Sequence, residues 1–274
     1  MKVALATLLS IAVAAPLAAA YASRDVVLPV AGRATGADGR LFLTALWVTN
    51  PSERDAVDAT LTFSPAEEKL LPHASALHLN PGETRVVDPI DEKILGVPAA
   101  LGSLRIEATH DVLATARVYS RGLATSFNAL PVQFAIGNSE SATLQGVAPA
   151  DGRYKIYFAE VEGVPLDVNV SLIDGRGVTI ASKAIFIDKD RQVISDVAEL
   201  FPQFTSGTAT LRVEGVNGRG RIVVAGSHIA RDTQDSTPFE MSFTTTPRDR
   251  LGIWEALTYI AVAAAAAVAL FLRR

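Results

Sequence analysis

Two stretches of the chain, each of about 100 residues, carry the same features in the same order. Ala37-Asp38-Gly39-Arg40 precedes one long alternating segment, and Ala150-Asp151-Gly152-Arg153 precedes another. Ala56 to Phe63 (AVDATLTF) is answered by Pro165 to Leu172 (PLDVNVSL). A Gly82 turn before Arg85-Val86-Val87-Asp88 is answered by an Asp188-Lys189-Asp190 turn before Val193-Ile194-Ser195-Asp196. Ser103 to Ala108 (SLRIEA) is answered by Thr210 to Gly215 (TLRVEG), and Val118 to Arg121 by Ser227 to Arg231. Whatever this chain folds into, it builds the unit twice.

The unit itself reads as strands. Short apolar alternations are cut by Gly, Pro, Asn and Asp, the pattern of an all-β sandwich. Val26 to Val30 is a strand in which Pro29 predicts an edge, because proline donates nothing to a ladder. Leu41 to Asn50 places Phe42, Thr44, Leu46 and Val48 on one face and Leu43, Ala45, Trp47 and Thr49 on the other. Trp47 is expected to pin the core between the sheets. Asp58 to Ser64, Ala76 to Leu79, Thr84 to Val87, Ser103 to Ala108 and Val112 to Ser120 follow as strands, with His110-Asp111 as a tight turn between the last two. Asp91 to Leu101 and Val197 to Phe204 occupy the same place in each repeat. Both contain proline, so each is a helix of a turn or two, crossing between sheets and capping the core. The expected fold is all-β, with two tandem Ig-like β-sandwich domains at 23–125 and 143–245. A linker at 126–142, where alternation lapses, joins them.

The runs Leu46-Trp47-Val48-Thr49-Asn50-Pro51-Ser52, Leu79-Asn80-Pro81-Gly82-Glu83-Thr84-Arg85 and Ser103-Leu104-Arg105-Ile106-Glu107 resemble a tandem Ig-like domain family of exported bacterial proteins. Ala225 to Asp232 and Pro238-Phe239 are similar to that family's closing strand and loop. The resemblance covers roughly residues 26–243, the stretch that reads as strands and turns. It lacks the Trp and the Asn-Pro in the second repeat. It implies a fold and an exported location, and it brings no activity and no site residue.

The two ends set a topology. Met1-Lys2, the apolar run Val3 to Ala15, Pro16 and Ala20-Tyr21-Ala22 have the layout of a signal peptide, 1–22, with cleavage before Ser23. Ile253 to Leu272 carries no charge except Glu255 and ends at Arg273-Arg274. Twenty residues at helical rise span roughly 30 Å, the thickness of a bilayer core. Trp254 and Tyr259 suit the headgroup level and the Arg pair suits a cytoplasmic end. This predicts a stalk at 246–252, one transmembrane helix at 253–272, and domains in the periplasm or at the cell surface. A sorting tail cut after export is the competing reading of the same segment.

Composition narrows the chemistry. There are 25 Lys+Arg against 29 Asp+Glu and no basic cluster in the middle, which predicts no nucleic-acid partner. There are no cysteines, so disulfides, thiolate metal sites and Cys nucleophiles are excluded. His73 and His78 lack a framing third ligand for a metal. No G-x-S-x-G occurs, and Gly32 to Gly39 is neither a phosphate loop nor a dinucleotide fingerprint. Asp232, Asp235 and Glu240 lack the spacing of a calcium loop. Asn169-Val170-Ser171 matches a glycosylation pattern inside a strand. The site expectation is therefore none: no catalytic, cofactor or metal residues, and no cofactor.

The functional expectation is a non-enzymatic, membrane-anchored extracytoplasmic structural or recognition protein. It would bind a protein or glycan through loops or edges of its sandwiches. The alternative is a periplasmic chaperone-like protein or an accessory subunit of a membrane complex.

Overall fold

A computed structural model describes residues 22–36 and 39–242. The expected signal peptide (except Ala22), stalk and transmembrane helix lie outside these residues. Among the described residues no helix is long and apolar enough to cross a membrane.

The first half contains β1 (Ser23–Thr35), β2 (Leu41–Thr49), β3 (Val57–Pro65), β4 (His73–Leu79), β5 (Thr84–Val87), α1 (Glu92–Leu95), β6 (Ala100–Ser120) and β7 (Leu123–Asn128). A short β8 (Leu130–Pro131) follows. The second half contains β9 (Ser141–Val147), β10 (Gly152–Glu160), β11 (Leu166–Asp174), β12 (Thr179–Ile187), β13 (Gln192–Asp196), α2 (Val197–Leu200), β14 (Ala209–Gly218), β15 (Ile222–Ala230) and β16 (Ser236–Glu240). The sheets of the second half run β12-β11-β14-β9 and β13-β10-β15-β16. The first half uses the same order. The N-terminal part of β6 lies between β3 and β1, with β4 outside β3. Its C-terminal part lies between β2 and β7, with β5 outside β2.

One strand therefore does in the first half what β14 and β15 do in the second. Ile106 pairs with Val26 and Leu61, whereas Ala116 pairs with Leu46 and Phe127. This corrects the expectation of a tight turn at His110-Asp111: the chain stays extended there and changes sheets. In the second half Arg219-Gly220-Arg221 separates the two strands. The helical expectations shrink to α1 and α2, four residues each. Asp91 caps the first by accepting from Lys93 N–H at 3.1 Å, and Asp196 caps the second by accepting from Ala198 N–H at 2.9 Å. Each drops apolar residues inward: Ile94 and Leu95 from α1, Val197 from α2.

The first core lies between the two sheet faces. Leu28, Leu61, Phe63, Leu104 and Ile106 meet Leu46, Val48 and Ala116, with Ile90, Ile94 and Leu95 closing one end. Trp47 is not in it. Its register partners are Val86, half exposed, and Thr115, so it lies on the outward face and is only partly buried. The side-chain period of two decides this, because Leu46 and Val48 already face the core. The neighbouring Asn50 has a structural role. Its amide donates to Asp55 O (2.8 Å) and Asn80 O (3.0 Å), and its carbonyl accepts from Ser52 N–H (3.0 Å). The second core buries Leu144, Ile156, Phe158, Val168, Val170, Leu172, Ile187, Leu211, Val213 and Val224.

The expected linker at 126–142 is taken up by the end of β7, β8, a 3-10 turn at Val132–Phe134 and the start of β9. Phe127, Leu130, Val132 and Ile136 are buried along it. Alternation lapses here because the strap is covered on more than one side. Ile136 exchanges backbone hydrogen bonds with Ile222 at 2.9 Å each way.

Candidate functional site

Two features of the first half stand out: a shallow groove edged by carboxylates beside an open strand edge, and a seam that fastens the second half to the first.

The groove has a volume of about 610 Å³ and is lined by residues 58–60 of β3, 76–78 of β4 and 107–109 of β6. These are three neighbouring strands. Ala59, Leu77 and Ala108 share one register row, and Thr60, Ala76 and Glu107 share the next. Ala59, Leu77 and Ala108 turn toward the core, and the depression lies on the outward face, where the small side chain of Ala76 sits between Thr60, His78 and Glu107. His78 Nδ1 lies 2.7 Å from Asp58 Oδ1, with both side chains well exposed. Glu107 sits 3.3 Å from Arg105 Nη2, which also makes two bonds to Asp25, at 2.9 and 2.7 Å. Asp25 and Glu107 thus share one guanidinium while Asp58 faces His78, so carboxylates outnumber guanidinium groups on the groove side of this sheet. The Arg105 guanidinium is held above its ordinary pKa, chiefly by the Asp25 hydrogen bonds.

The edge of β4 beyond this groove is open. Asp58 N–H donates to Thr109 Oγ1 on the β6 side at 3.1 Å. The facing residue His78 therefore turns its backbone groups away from β3. His78 O meets Arg85 Nη2 at 3.4 Å, consistent with that direction. Period two puts the backbone N–H of Ala76 and Ala74 on the same open side, and both residues are exposed.

The seam begins at Arg191. Its guanidinium donates to three carbonyls of the β3–β4 loop: Glu67 O at 2.9 Å, Leu70 O at 2.7 Å and Glu68 O at 2.6 Å. The next residue, buried Gln192, donates from Nε2 to Pro29 O. Arg105 returns the contact, donating to Val161 O at 2.8 Å. Asn128 Nδ2 donates to Glu240 Oε1 at 3.0 Å, tying β7 to β16. Between these polar ties Val30, Phe127, Tyr157 and Ala225 form an apolar cluster with Leu101, Val118 and Ile194. The rings of Phe127 and Tyr157 meet edge-on, 5.9 Å apart at 76°. Burial pushes the Tyr157 phenol well up, although its contact with Ser227 (3.1 Å) acts the other way. Tyr154, buried on the opposite face of β10, is also raised, first by burial and then by Tyr157.

The candidate residues from the sequence fall apart in space. His73 and His78 sit on opposite faces of β4: His73 Nε2 lies 3.0 Å from Lys93 O, while His78 faces Asp58. Asp232 and Asp235 hold the β15–β16 turn, where Asp232 Oδ1 accepts from Thr233 N–H and Asp235 O from Ala230 N–H. Glu240 lies at the far end of β16, bound by Asn128. Among the described residues no group of three or more His, Asp or Glu could hold a metal ion. Asn169 lies within β11, paired with Ala184 and Glu214. Sequence reading missed the Asp58–His78–Glu107 groove and the Arg191 clasp. Asp58 and Glu107 are far apart in the chain, and only the β3–β6 register brings them together. Nothing in the local pattern around Arg191 marks its acceptors, which are backbone carbonyls of the other half.

Comparison with protein-family models, with curated proteins and with solved structures finds no match.

Proposed function

We propose that this chain is a non-enzymatic recognition protein, exported and held at a membrane by one C-terminal span. In this reading two Ig-like sandwiches stand outside the cytoplasm and bind a protein or glycan. The resemblance to the tandem Ig-like family of exported bacterial proteins belongs to the same reading, as does a cleaved N-terminal signal. The observation that carries it is the division of the surface. The two halves bury side chains against each other at the Arg191–Gln192 seam and leave the outer sheet faces and the β4 edge to solvent. Such a body holds fixed surfaces in fixed relation, which suits recognition by a scaffold.

The test is intact mass combined with membrane fractionation of the native protein. The expected result is a chain from about Ser23 to Arg274, extracted only by detergent. A chain ending near residue 250 and released into the soluble fraction would contradict the anchor.

A further inference from the structure

We propose that the open edge of β4 receives an extended segment of a partner protein as an added strand, with a Lys or Arg of that segment seated in the Asp58–His78–Glu107 groove. The proposal rests on the recognition reading above and names its surface and partner chemistry.

Four observations converge. The backbone donors of Ala74 and Ala76 face outward from a sheet edge, which is what strand addition requires. No charged residue occurs within β4 between His73 and Leu79, and Arg85 reaches the edge at its C-terminal end, at His78 O, leaving the Ala74 and Ala76 positions clear. Its counterpart in the second half, β12, is guarded. Lys183 stands at its centre, paired with buried Val170 and so on the inner side of the edge, and a bulge at Ile180 breaks its register. Inward charges and bulges are the devices by which edges refuse extra strands. The same fold position is closed in one half and left open in the other.

The groove supplies the partner's chemistry. An added strand runs alongside β4, and every second side chain of it lies on the groove face. Exposed Ala76 leaves room there, between Thr60 and the open edge. Asp25, Asp58 and Glu107 outnumber Arg105 on this face, and Arg85 nearby is neutralised by Glu83 at 2.6 Å. A cationic side chain fits that balance; an anionic one meets like charge.

The test uses the full chain in detergent and two dye-labelled, end-blocked heptapeptides, Thr-Val-Thr-Lys-Val-Thr-Val and its Glu counterpart, followed by fluorescence anisotropy. The lysine peptide is expected to bind saturably, about tenfold or more tighter than the glutamate peptide. A76P removes the outward N–H without touching the ladder to β3, and it abolishes binding while the circular dichroism spectrum is kept. A76K, which sets a cation of the chain's own in the groove face beside the open edge, has the same effect should the proline variant fold poorly. D58N brings the two peptides to within about threefold of each other. Binding that survives both Ala76 variants overturns the proposal, as does no saturable binding of either peptide. Self-association through β4, seen as a concentration-dependent dimer lost in A76K, overturns it in favour of a second copy. Binding of a neutral hexasaccharide in place of the peptides overturns it in favour of a glycan. Fractionation remains independent: a membrane-held chain that binds neither peptide keeps the recognition reading and loses only this surface.

Discussion

At the residue scale, burial of polar groups decides most roles. Asn50 satisfies three backbone groups at once, and leaving such groups unpaired costs about 1–3 kcal/mol each. That explains why the strand holding Trp47 ends at Asn50-Pro51, a boundary the sequence shows plainly. Trp47 itself was misplaced by the sequence, because both faces of its strand are apolar and only the sheet partners choose between them. The two buried tyrosines give a pH dependence. Their folded pKa values lie above the ordinary value of 10. A raised folded pKa stabilises fully below the unfolded value, and the stability is lost as pH rises through the folded pKa. The urea midpoint should therefore hold steady up to about pH 9 and fall above about pH 10. Tyr157→Phe should flatten that fall. An unchanged alkaline profile in Y157F would show that the seam tyrosine does not carry it.

At the element scale, the closing strand of the second half depends on one glycine. Gly146 adopts φ of 82° in β9, and a Cβ built there would meet the Phe239 ring at 2.2 Å. Phe239 lies over that position and stacks on Tyr154, with ring centroids 5.8 Å apart. Gly146→Ala should loosen β16, lowering stability by about 1–3 kcal/mol through overpacking and the left-handed backbone. Hydrogen exchange should then quicken at Gly226 and His228, whose N–H groups point to β16 like those of Val224 and Ala230, more than at Val170 in β11. Uniform exchange across both sheets would contradict this assignment. The strands were legible from alternation and turn residues. The continuity of β6 was not, because Thr109-His110-Asp111 has the composition of a turn and is held extended by pairs on either side, such as Ala108 with Ala59 and Leu113 with Thr49.

At the scale of the whole molecule, the repeat was legible and the joint was not. Anchors such as Ser103 to Ala108 and Thr210 to Gly215 do occupy equivalent strands, β6 and β14, each beside its β3 or β11 partner. The alternation lapse at 126–142 looked like a linker, but Phe127 and Ile136 are buried there and Ile136 pairs with Ile222. The seam rests on Arg191, Gln192 and Arg105 reaching backbone carbonyls of the opposite half, a kind of contact that side-chain patterns do not announce. The guanidinium bonds from Arg191 and Arg105 contribute about 1.5–3 kcal/mol each when sheltered, and less where solvent reaches them. With the Val30–Phe127–Tyr157–Ala225 cluster they make one body of two sandwiches. Calorimetry of the full chain in detergent tests this most directly. The expected result is a single transition whose calorimetric and van't Hoff enthalpies agree, resolving into two in Arg191→Ala. Two separate transitions in the unaltered chain would contradict it.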